Sequence, residues 1–459
     1  MNNYKAVNDP SLSVSERLAA LSAYVSTNDF KGKEVKRCGE INNHIHTIYS
    51  FSPYTPAMAA LKAYESGLEA AGSVDHDSIA AAKEMRNACA ILGTGGCAGF
   101  EVRVSFKKDA DGNASSFADK KINNPDSAGF AYMTVQGIPL PAIEAAAEFL
   151  APVRKERLNR TRAMAVSANA FLREAGVSEI DFDLDIINKS KFAQGGEITE
   201  RHLLAAAAQK IINKYGKGAP LTDALKQKLG ITVQPKTSAL LADTENPHYL
   251  YDILGVLKTD FLPKIFIQPD ENECIPAVRV TSFAKSIAAI SAYAYLGDVG
   301  ESVTGDKKAE KFEDSFIEEL FCELSRLGYK AVTYMPPRNT LSQLMNIRRL
   351  SGIHGFMEIS GVDINSSRQS FNCPEVLKKE FCHLIDTTWA MIAHERLAGI
   401  DKKYGLFSDN GPLASLDLNK KLASYAAIGK KLEPQFFNED INDESAQNAA
   451  LEIEKGRLI

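Results

Sequence analysis

Two histidines near the start of the chain are spaced for metal binding. His44 and His46 lie in INNHIHTIYSF, residues 41–51, behind an apolar lead-in that is typical of a short strand. Residues i and i+2 of a strand point to the same side, so both imidazoles would face one point. Neutral imidazole is a good ligand for zinc and iron. A His-x-His pair alone is weak evidence, so further ligands are needed.

Further candidate ligands stand at the ends of other predicted strands. His76 is the central residue of Asp-His-Asp in GSVDHD, Glu101 ends an apolar run in GFEV, and Asp363 follows another in GVDIN. Imidazoles and carboxylates together form a mixed nitrogen and oxygen set that suits zinc, manganese or iron. Their recurrence at strand-to-loop positions favours one site at one end of a sheet.

The elements that would position these groups follow a strand-helix alternation. The strands INNHIHTIYS, AAGSVDH and CAGFEVRVSF are separated by the helical segments MAALKAYESG and SIAAAKEMRNACAI. Such alternation predicts βα units and a parallel sheet. Residues 109–128 are polar and predict a surface loop or an extended hairpin before the strand FAYMTVQGIP. After a long helical stretch, strands are again predicted at SAYAYLGD, KAVTYMPP and FMEISGVDIN.

Composition excludes several classes of protein. A net charge of -5 with mixed signs gives no basic footprint for nucleic acid. The sequence has no secretory leader and no apolar run long enough to span a bilayer, which predicts a cytoplasmic protein without a membrane partner. Seven scattered cysteines without a CxxC pair are neither a disulfide framework nor a zinc ribbon. The oligomeric state stays open.

The order His-x-His, Asp-His-Asp, strand-end Glu and late Asp resembles the polymerase and histidinol phosphatase (PHP) superfamily of metal-dependent hydrolases. A second match lies in RKERLNRTRAMAVSANAFLREAG followed by ITERHLLAA. These segments are similar to the R-x-x-R…L…G helix and the T-R-P-H segment of the phosphoesterase-like branch, which carries a helical insert. The resemblance covers residues 40–375. It implies an α/β fold, a distorted parallel (β/α)7 TIM-like barrel with a helical insertion and extra terminal helices.

On this basis the chain divides into six parts. They are an N-terminal helical extension (1–37), the first part of the barrel (38–139), the helical insert (140–265), the second part of the barrel (266–375), C-terminal helices (376–432) and an acidic, polar tail (433–459).

The resemblance also implies the metal ligands. The family's first site maps to His44, His46, Glu101 and Asp363, and all four are present. His76 is intact as well. The resemblance therefore implies a divalent ion, zinc, manganese or iron, and one per chain.

The family's other two metal sites have lost most of their imidazoles. Tyr132 and Tyr295 stand where the family has histidines of the second site, and Asn365 replaces the histidine of the late D-x-H motif. A further ligand has become Phe51 or Ser52. A neutral phenol is a poor ligand near pH 7. These departures imply a pocket remodelled around a single metal.

A phosphate group is bound best by a side chain that can donate two hydrogen bonds at once, preferably arginine. Arg338 and Arg368 follow strand ends at the predicted carboxyl-terminal mouth of the barrel, although each could instead form a surface ion pair. Arg201 and His202 open a helix, where anions also bind. The family arginine aligns one residue earlier, on Glu200, so Arg201 would be a shifted substitute.

The implied function is a metal-dependent, phosphoesterase-like hydrolase acting on a small phosphorylated or anionic metabolite. The alternative is a PHP-derived, non-hydrolytic protein that binds or senses a ligand because tyrosines have closed the second site. The expected catalytic residues are His76, His202, Asp363 and Tyr295. The residues expected to contact substrate are Arg338, Arg368, Arg201, Tyr132 and Asn365.

Overall fold

The computed structural model describes residues 2–32, 35–300, 310–434 and 443–456. These residues contain one sheet whose seven strands neighbour each other in chain order. The strands are β1 (Ile41–Ile45), β2 (Ala70–His76), β3 (Gly95–Ser105), β4 (Phe130–Gln136), β5 (Ile290–Ala294), β6 (Ala331–Tyr334) and β7 (Met357–Ser360).

Helices surround this sheet and fill the interval between β4 and β5. None of the helices in the described ranges is long and apolar enough to cross a membrane. The α-helices are α1 (Asn3–Val7), α2 (Val14–Val25), α3 (Asn28–Lys31), α4 (Pro56–Glu65), α5 (Ala82–Leu92), α6 (Ile143–Glu174), α7 (Phe182–Asp185), α8 (Glu200–Tyr215), α9 (Ala219–Leu229), α10 (Pro235–Ala242), α11 (Tyr249–Asp260), α12 (Leu262–Ile265), α13 (Ala277–Ser286), α14 (Ile317–Arg326), α15 (Leu341–His354), α16 (His383–Ile400), α17 (Leu418–Gly429) and α18 (Glu444–Glu454).

The sheet curves into a nearly closed barrel. Its two edges meet just beyond β7, where Ile364 lies beside the end of β1. The His46 N–H donates to the Ile364 carbonyl at 2.9 Å, and the Ile364 N–H donates to the His44 carbonyl at 3.1 Å. Because those two histidines are the predicted metal ligands of β1, the seam of the barrel lies at the candidate site.

The barrel departs from the predicted parallel arrangement at one strand. Strands β1 to β3 run parallel to each other, as do β5 to β7, but β4 is antiparallel to both β3 and β5. Parallel neighbours need a long crossover connection, usually a helix. The described residues 106–129, which join β3 to β4, contain no helix, so the chain turns back and β4 runs in the opposite direction.

Helix α6 joins the barrel to the helical insert. Its first half buries Ala146, Leu150 and Val153 in the apolar core that surrounds the strands. Its second half buries Met164 and Leu172 in a separate apolar core built from the segment between α6 and α12. One 32-residue helix therefore runs from the barrel into the insert, and polar side chains occupy the region between the two cores.

The predicted C-terminal tail contains ordered structure. Of residues 433–459, positions 435–442 and 457–459 lie outside the described residues, whereas α18 packs Ala446, Ala450 and Ile453 against the main core. Just before α18, both carboxylate oxygens of Asp443 pair with Arg396 at 2.7 Å. This pair and the apolar contacts fix the described part of the tail to α16.

Candidate metal centre

Three predicted ligands converge at the carboxyl ends of the first strands. His44 and His46 come from the end of β1 and Glu101 from β3, and all three are buried. One ligand atom from each lies within 4.8 Å of the other two. The His44 Nε2 is 3.9 Å from Glu101 Oε1. The strand geometry therefore places both imidazoles against one carboxylate, as the i and i+2 spacing predicts.

Asp363 approaches this group from the far edge of the sheet, although it lies outside the set of three residues whose ligand atoms are all within 4.8 Å of one another. Its Oδ1 lies 3.3 Å from His46 Nε2, beside the seam of the barrel. Two ligands that each bind a zinc-like ion at about 2.0–2.2 Å lie about 3–4 Å apart, so these separations fit one shared ion. The donor set of two imidazoles and two carboxylates also fits zinc, manganese or iron.

His76 lies beside this group. Its Nδ1 is 2.8 Å from Glu101 Oε2, and its ring centroid is 4.5 Å from that of His46. The side chain of His76 is 23% exposed, whereas that of His46 is 2% exposed. His76 is thus the imidazole of the cluster most open to a ligand or to solvent.

A hydrogen-bond chain fixes the tautomer of His46. The Ser50 hydroxyl donates to Asp75 Oδ1 at 2.6 Å, and its oxygen lies 3.3 Å from His46 Nδ1. Because Ser50 has given its only hydrogen to Asp75, it accepts from Nδ1–H and leaves the Nε2 lone pair free. Thr47 also donates to Asp75, through its N–H and its hydroxyl. Such outer partners commonly orient metal-binding histidines.

The protonation states suit metal binding at neutral pH. Burial, followed by the charge of the neighbouring His76, lowers the pKa of His46 to about 3. Burial raises the pKa of Glu101, but the opposing effects of His76 and the other histidines are larger and bring it to about 2. His46 is therefore neutral and Glu101 ionised near pH 7, which are the states that bind metal.

The two tyrosines that the sequence resemblance aligns with metal-binding histidines have different surroundings. The Tyr132 ring centroid lies 6.0 Å from that of His76, and burial raises the pKa of its phenol. The Tyr295 hydroxyl donates to Asp314 at 2.6 Å. Tyr132 therefore borders the cluster as a neutral phenol, whereas Tyr295 is held by a carboxylate.

Asn365 lies against a predicted ligand. Its side-chain amide is 2.7 and 2.8 Å from the two carboxylate oxygens of Asp363, and its backbone N–H donates to Gln369 Oε1 at 2.7 Å. Asn365 is thus positioned to orient Asp363.

The three predicted anion-binding arginines differ in how they are held. Arg368 donates to both oxygens of Asp252 at 2.6 and 2.7 Å, and Arg338 donates to the Leu296 carbonyl at 3.1 Å. The guanidinium of Arg201 has neither a hydrogen bond nor an ion pair with the residues described, and it lies 5.5 Å from the centre of the Phe51 ring. Burial lowers the pKa of Arg201, and the charge of Asp363 opposes that shift.

His202 is tied to the start of α8. Its Nδ1 accepts from the Thr199 N–H at 3.0 Å, and its ring packs edge-on against Phe51 at 4.9 Å. Burial, followed by the charges of Arg157 and Arg201, lowers the pKa of His202 to about 3. At neutral pH His202 is therefore a neutral imidazole whose Nε2–H can donate a hydrogen bond.

A buried ionic network behind the centre was not predicted. Its core is Glu200, which accepts from Arg157 at 2.8 Å, pairs closely with Arg160 and lies 3.5 Å from Arg103. Arg157 also binds Asp77, the residue after His76, at 2.6 Å. The network thus connects α6 and the first turn of α8 to the end of β2.

The charges around position 200 explain why it carries a glutamate and not an arginine. Burial alone would raise the pKa of its carboxyl, but three arginines hold that pKa well below its usual range. An arginine at this position, as in the family pattern, would add a fourth positive charge to the cluster. The arginines spaced three residues apart on α6 were the sequence signal for this network. A helix face that carries several arginines cannot be buried unless carboxylates pair with them.

Comparisons with known proteins give fold-level similarities at low identity. No family model matches the sequence, and a search of curated proteins finds no significant match. Among solved structures, an amidohydrolase from Chromobacterium violaceum, with bound sulfate and no metal, has a TM-score of 0.46 and 17% identity over 73% of this chain and 90% of that one. A candidate metal-dependent phosphoesterase from Bifidobacterium adolescentis has a TM-score of 0.46 and 16% identity over 76% and 97%. The function of this chain is therefore inferred from its own side chains.

Proposed function

We propose that this protein is a metal-dependent, phosphoesterase-like hydrolase that acts on a small phosphorylated or otherwise anionic metabolite. The observation that supports the proposal is the convergence of His44, His46 and Glu101 at one end of the barrel, with Asp363 3.3 Å from His46. These four residues would hold one divalent ion. When bound, such an ion supplies Lewis-acid polarisation of a substrate oxygen and lowers the pKa of a water molecule.

Arg201 is the leading candidate for holding the anionic group of the substrate. Its guanidinium is uncommitted among the described residues, and its pKa responds to the charge of Asp363. A guanidinium can bind two phosphate oxygens at once. Arg338 and Arg368 would reach a substrate only by exchanging their present partners, so we assign them secondary roles.

His76 is the leading candidate for moving a proton. It is partly exposed beside the centre, and its Nδ1 contact with Glu101 fixes the ring. His202 would contribute differently, because at neutral pH it offers an Nε2–H donor and no exchangeable charge. It would orient a substrate oxygen beside Arg201 through a hydrogen bond.

Tyr132, Tyr295 and Asn365 would shape the pocket and bind no ion. Tyr132 is a neutral phenol beside His76, and Asn365 holds the Asp363 carboxylate. Tyr295 gives its hydrogen to Asp314, so it could contact a substrate only as an acceptor. With these residues in place, the chain keeps one complete ligand set, which supports a single-ion mechanism.

The experiment combines metal analysis with an activity screen. Protein purified without chelator should contain about one zinc, manganese or iron per chain, and Asp363→Ala should contain much less. Phosphomonoesters and nucleotides are then screened with added manganese or zinc, using Asp363→Ala as the inactive control. Turnover that disappears in the control supports the hydrolase. Thermal stabilisation by a phosphomonoester without turnover would instead support the ligand-binding alternative.

A further inference from the structure

A second concave site lies at the end of the barrel opposite the metal centre. It is a cavity of about 300 Å³ between the end of α13, the amino ends of β5 and β6, and the segment 402–410 that follows α16. The metal ligands lie at carboxyl ends of parallel strands, so the two sites occupy opposite ends of the barrel. A volume near 300 Å³ is at the lower end of the range for small-molecule pockets.

The lining of this cavity is cationic. Four lysines contribute to it, and Asp409 is the acidic residue among them; the lysines are Lys285, Lys330, Lys402 and Lys403. We call this site the lysine cavity.

Three of the four lysines have fixed partners. Lys285 pairs with Asp409 at 2.8 Å, Lys402 donates to the Ser286 carbonyl at 2.7 Å, and Lys403 pairs with Glu454 at 2.7 Å. The amine of Lys330 has no hydrogen bond or ion pair with any residue in the described ranges. Lys330 is half-buried at the amino end of β6, and its charge interacts with Asp409 across the cavity without forming a direct ion pair.

A buried imidazole forms part of the wall. His394 is 1% exposed, and its Nδ1 accepts from the Leu406 N–H at 2.9 Å, which makes Nε2 the protonated nitrogen. This Nε2 makes no hydrogen bond of good geometry with the described residues, and only the backbone groups of Gly137 and Ala288 interact with it, at poorer geometry. A buried donor that is satisfied this weakly is unusual, and it is consistent with a ligand acceptor at this position.

The apolar part of the wall includes a residue in an uncommon conformation. Ala288 has φ +55°, in the left-handed region, directly after α13. Glycine is the usual residue at such a helix end because it lacks the Cβ penalty. The chain has a methyl group there, on the wall of the cavity that Phe407 also lines. The lysine cavity therefore combines an apolar side with a charged side.

We propose that the lysine cavity binds a small phosphorylated organic molecule, separately from the metal centre. Lysine amines bind phosphate as point charges. The unpaired amine of Lys330 would carry most of the attraction, and the His394 Nε2–H would donate to the bound molecule. The apolar wall would contact its organic part. This site does not depend on the hydrolytic activity proposed above, because none of its residues lies in the metal centre.

The test uses the full-length protein as purified, with two probes. Phenylphosphonate mimics a phosphomonoester but resists hydrolysis, and inorganic phosphate presents the anion alone. Binding of each is measured by isothermal titration calorimetry. The variants are Lys330→Glu in the cavity, Arg201→Gln at the metal centre, and Lys226→Glu, a matched charge reversal at an exposed position of α9.

We expect phenylphosphonate to bind in a mode that Lys330→Glu weakens at least about tenfold, because a favourable charge becomes a repulsive one. Arg201→Gln and Lys226→Glu should leave this mode within about twofold, since the binding energy comes from local charge. Tighter binding of phenylphosphonate than of phosphate would show that the organic part is recognised. Lys330→Met, which removes the charge without reversing it, covers the case in which Lys330→Glu does not fold.

The proposal is overturned if phenylphosphonate does not bind at millimolar concentration, or if Arg201→Gln abolishes all binding. It is also overturned if Lys226→Glu weakens binding as much as Lys330→Glu, since the effect would then be general electrostatics. Failure of the hydrolase proposal gives a different pattern, namely loss of turnover and metal binding with the Lys330-dependent mode intact.

Discussion

The side-chain amide of Asn365 lies 2.7 and 2.8 Å from the two carboxylate oxygens of Asp363. A single nitrogen therefore contacts both oxygens of a proposed metal ligand. In the family pattern this position is a histidine that binds a further ion. Here the side chain is a poor ligand for a transition metal but a good partner for the carboxylate, which agrees with the single-ion centre that we propose.

Removing this amide should weaken metal binding. We expect Asn365→Ala to lower the affinity for zinc about 10–100-fold, because Asp363 loses the group that orients it. Chelator competition measures the affinity. Asn272→Ala, at an exposed position, serves as the control. Equal affinities for both variants would show that Asn365 does not act on the centre.

Ser50 should affect metal binding without being a ligand. Ser50→Ala removes the acceptor that keeps a proton on His46 Nδ1, and we expect about a tenfold lower zinc affinity. It also removes a donor to the buried Asp75, which should cost about 1 kcal/mol of the free energy of unfolding. Ser52→Ala is a matched control, since that hydroxyl has no hydrogen-bond partner among the residues described. The prediction is contradicted if the two variants behave alike.

Arg201 should have the largest effect on substrate use among the arginines. We expect Arg201→Gln to lower kcat/KM about 10–100-fold on any phosphomonoester that the screen identifies, because a charge-assisted contact is lost. Arg162→Gln, which breaks an exposed ion pair with Asp183, should change kcat/KM less than about threefold. An equally large loss with Arg368→Gln would mean that the Asp252 pair opens during turnover.

The sequence predicts the positions of the candidate ligands better than it predicts the directions of the strands. Strand periodicity predicts that the candidate ligands lie at one end of a sheet, because side-chain direction alternates from one residue to the next. These ligands are His44, His46, Glu101 and Asp363. The direction of β4 does not, since alternating apolar residues look the same in either orientation. Only the absence of a helix between β3 and β4 distinguishes the two orientations.

The pairing within the buried ionic network could not be predicted from the sequence, for a different reason. The pairing of Glu200 with arginines on α6 and β3 joins residues 40 to 97 positions apart. Charge spacing shows which face of α6 is polar, but not which carboxylate meets it. The same holds for Arg201, because the sequence does not show that its guanidinium is left without a partner among the described residues while Glu200 pairs with Arg157.

Glu200 should be important for stability. We expect Glu200→Ala to reduce the free energy of unfolding by about 3–5 kcal/mol, because it leaves buried arginine charges without their carboxylate. Urea denaturation measures this loss. Glu148→Ala, at an exposed position of α6, should change stability by less than about 0.5 kcal/mol. A small effect for Glu200→Ala would imply that Glu273 and Asp77 neutralise the arginines by themselves.

Acid should destabilise the fold through His394. Burial lowers the pKa of this imidazole from 6.5 to about 4. Below pH 6.5 the unfolded chain binds a proton that the folded chain does not, so this contribution to stability is complete above pH 6.5 and lost as the pH falls through 4. Between pH 7 and pH 5 the loss should be about 2 kcal/mol.

Urea unfolding of the wild type and of His394→Gln at both pH values isolates this contribution. The variant should be less stable at pH 7, and its stability should fall less between pH 7 and pH 5, by about 2 kcal/mol. If the two proteins lose the same amount, another group accounts for the acid sensitivity.

The seam of the barrel has a consequence for the growing polypeptide. The backbone pairing of Ile364 with His44 and His46 joins positions about 320 residues apart, and Asp363 arrives with it. During synthesis a nascent chain holds His44, His46 and Glu101 long before the ribosome reaches residue 363. Throughout that interval the three can offer an ion only an incomplete set of ligands. The barrel can therefore close, and the proposed ligand set become complete, only after the segment with Asp363 and Ile364 has been synthesised.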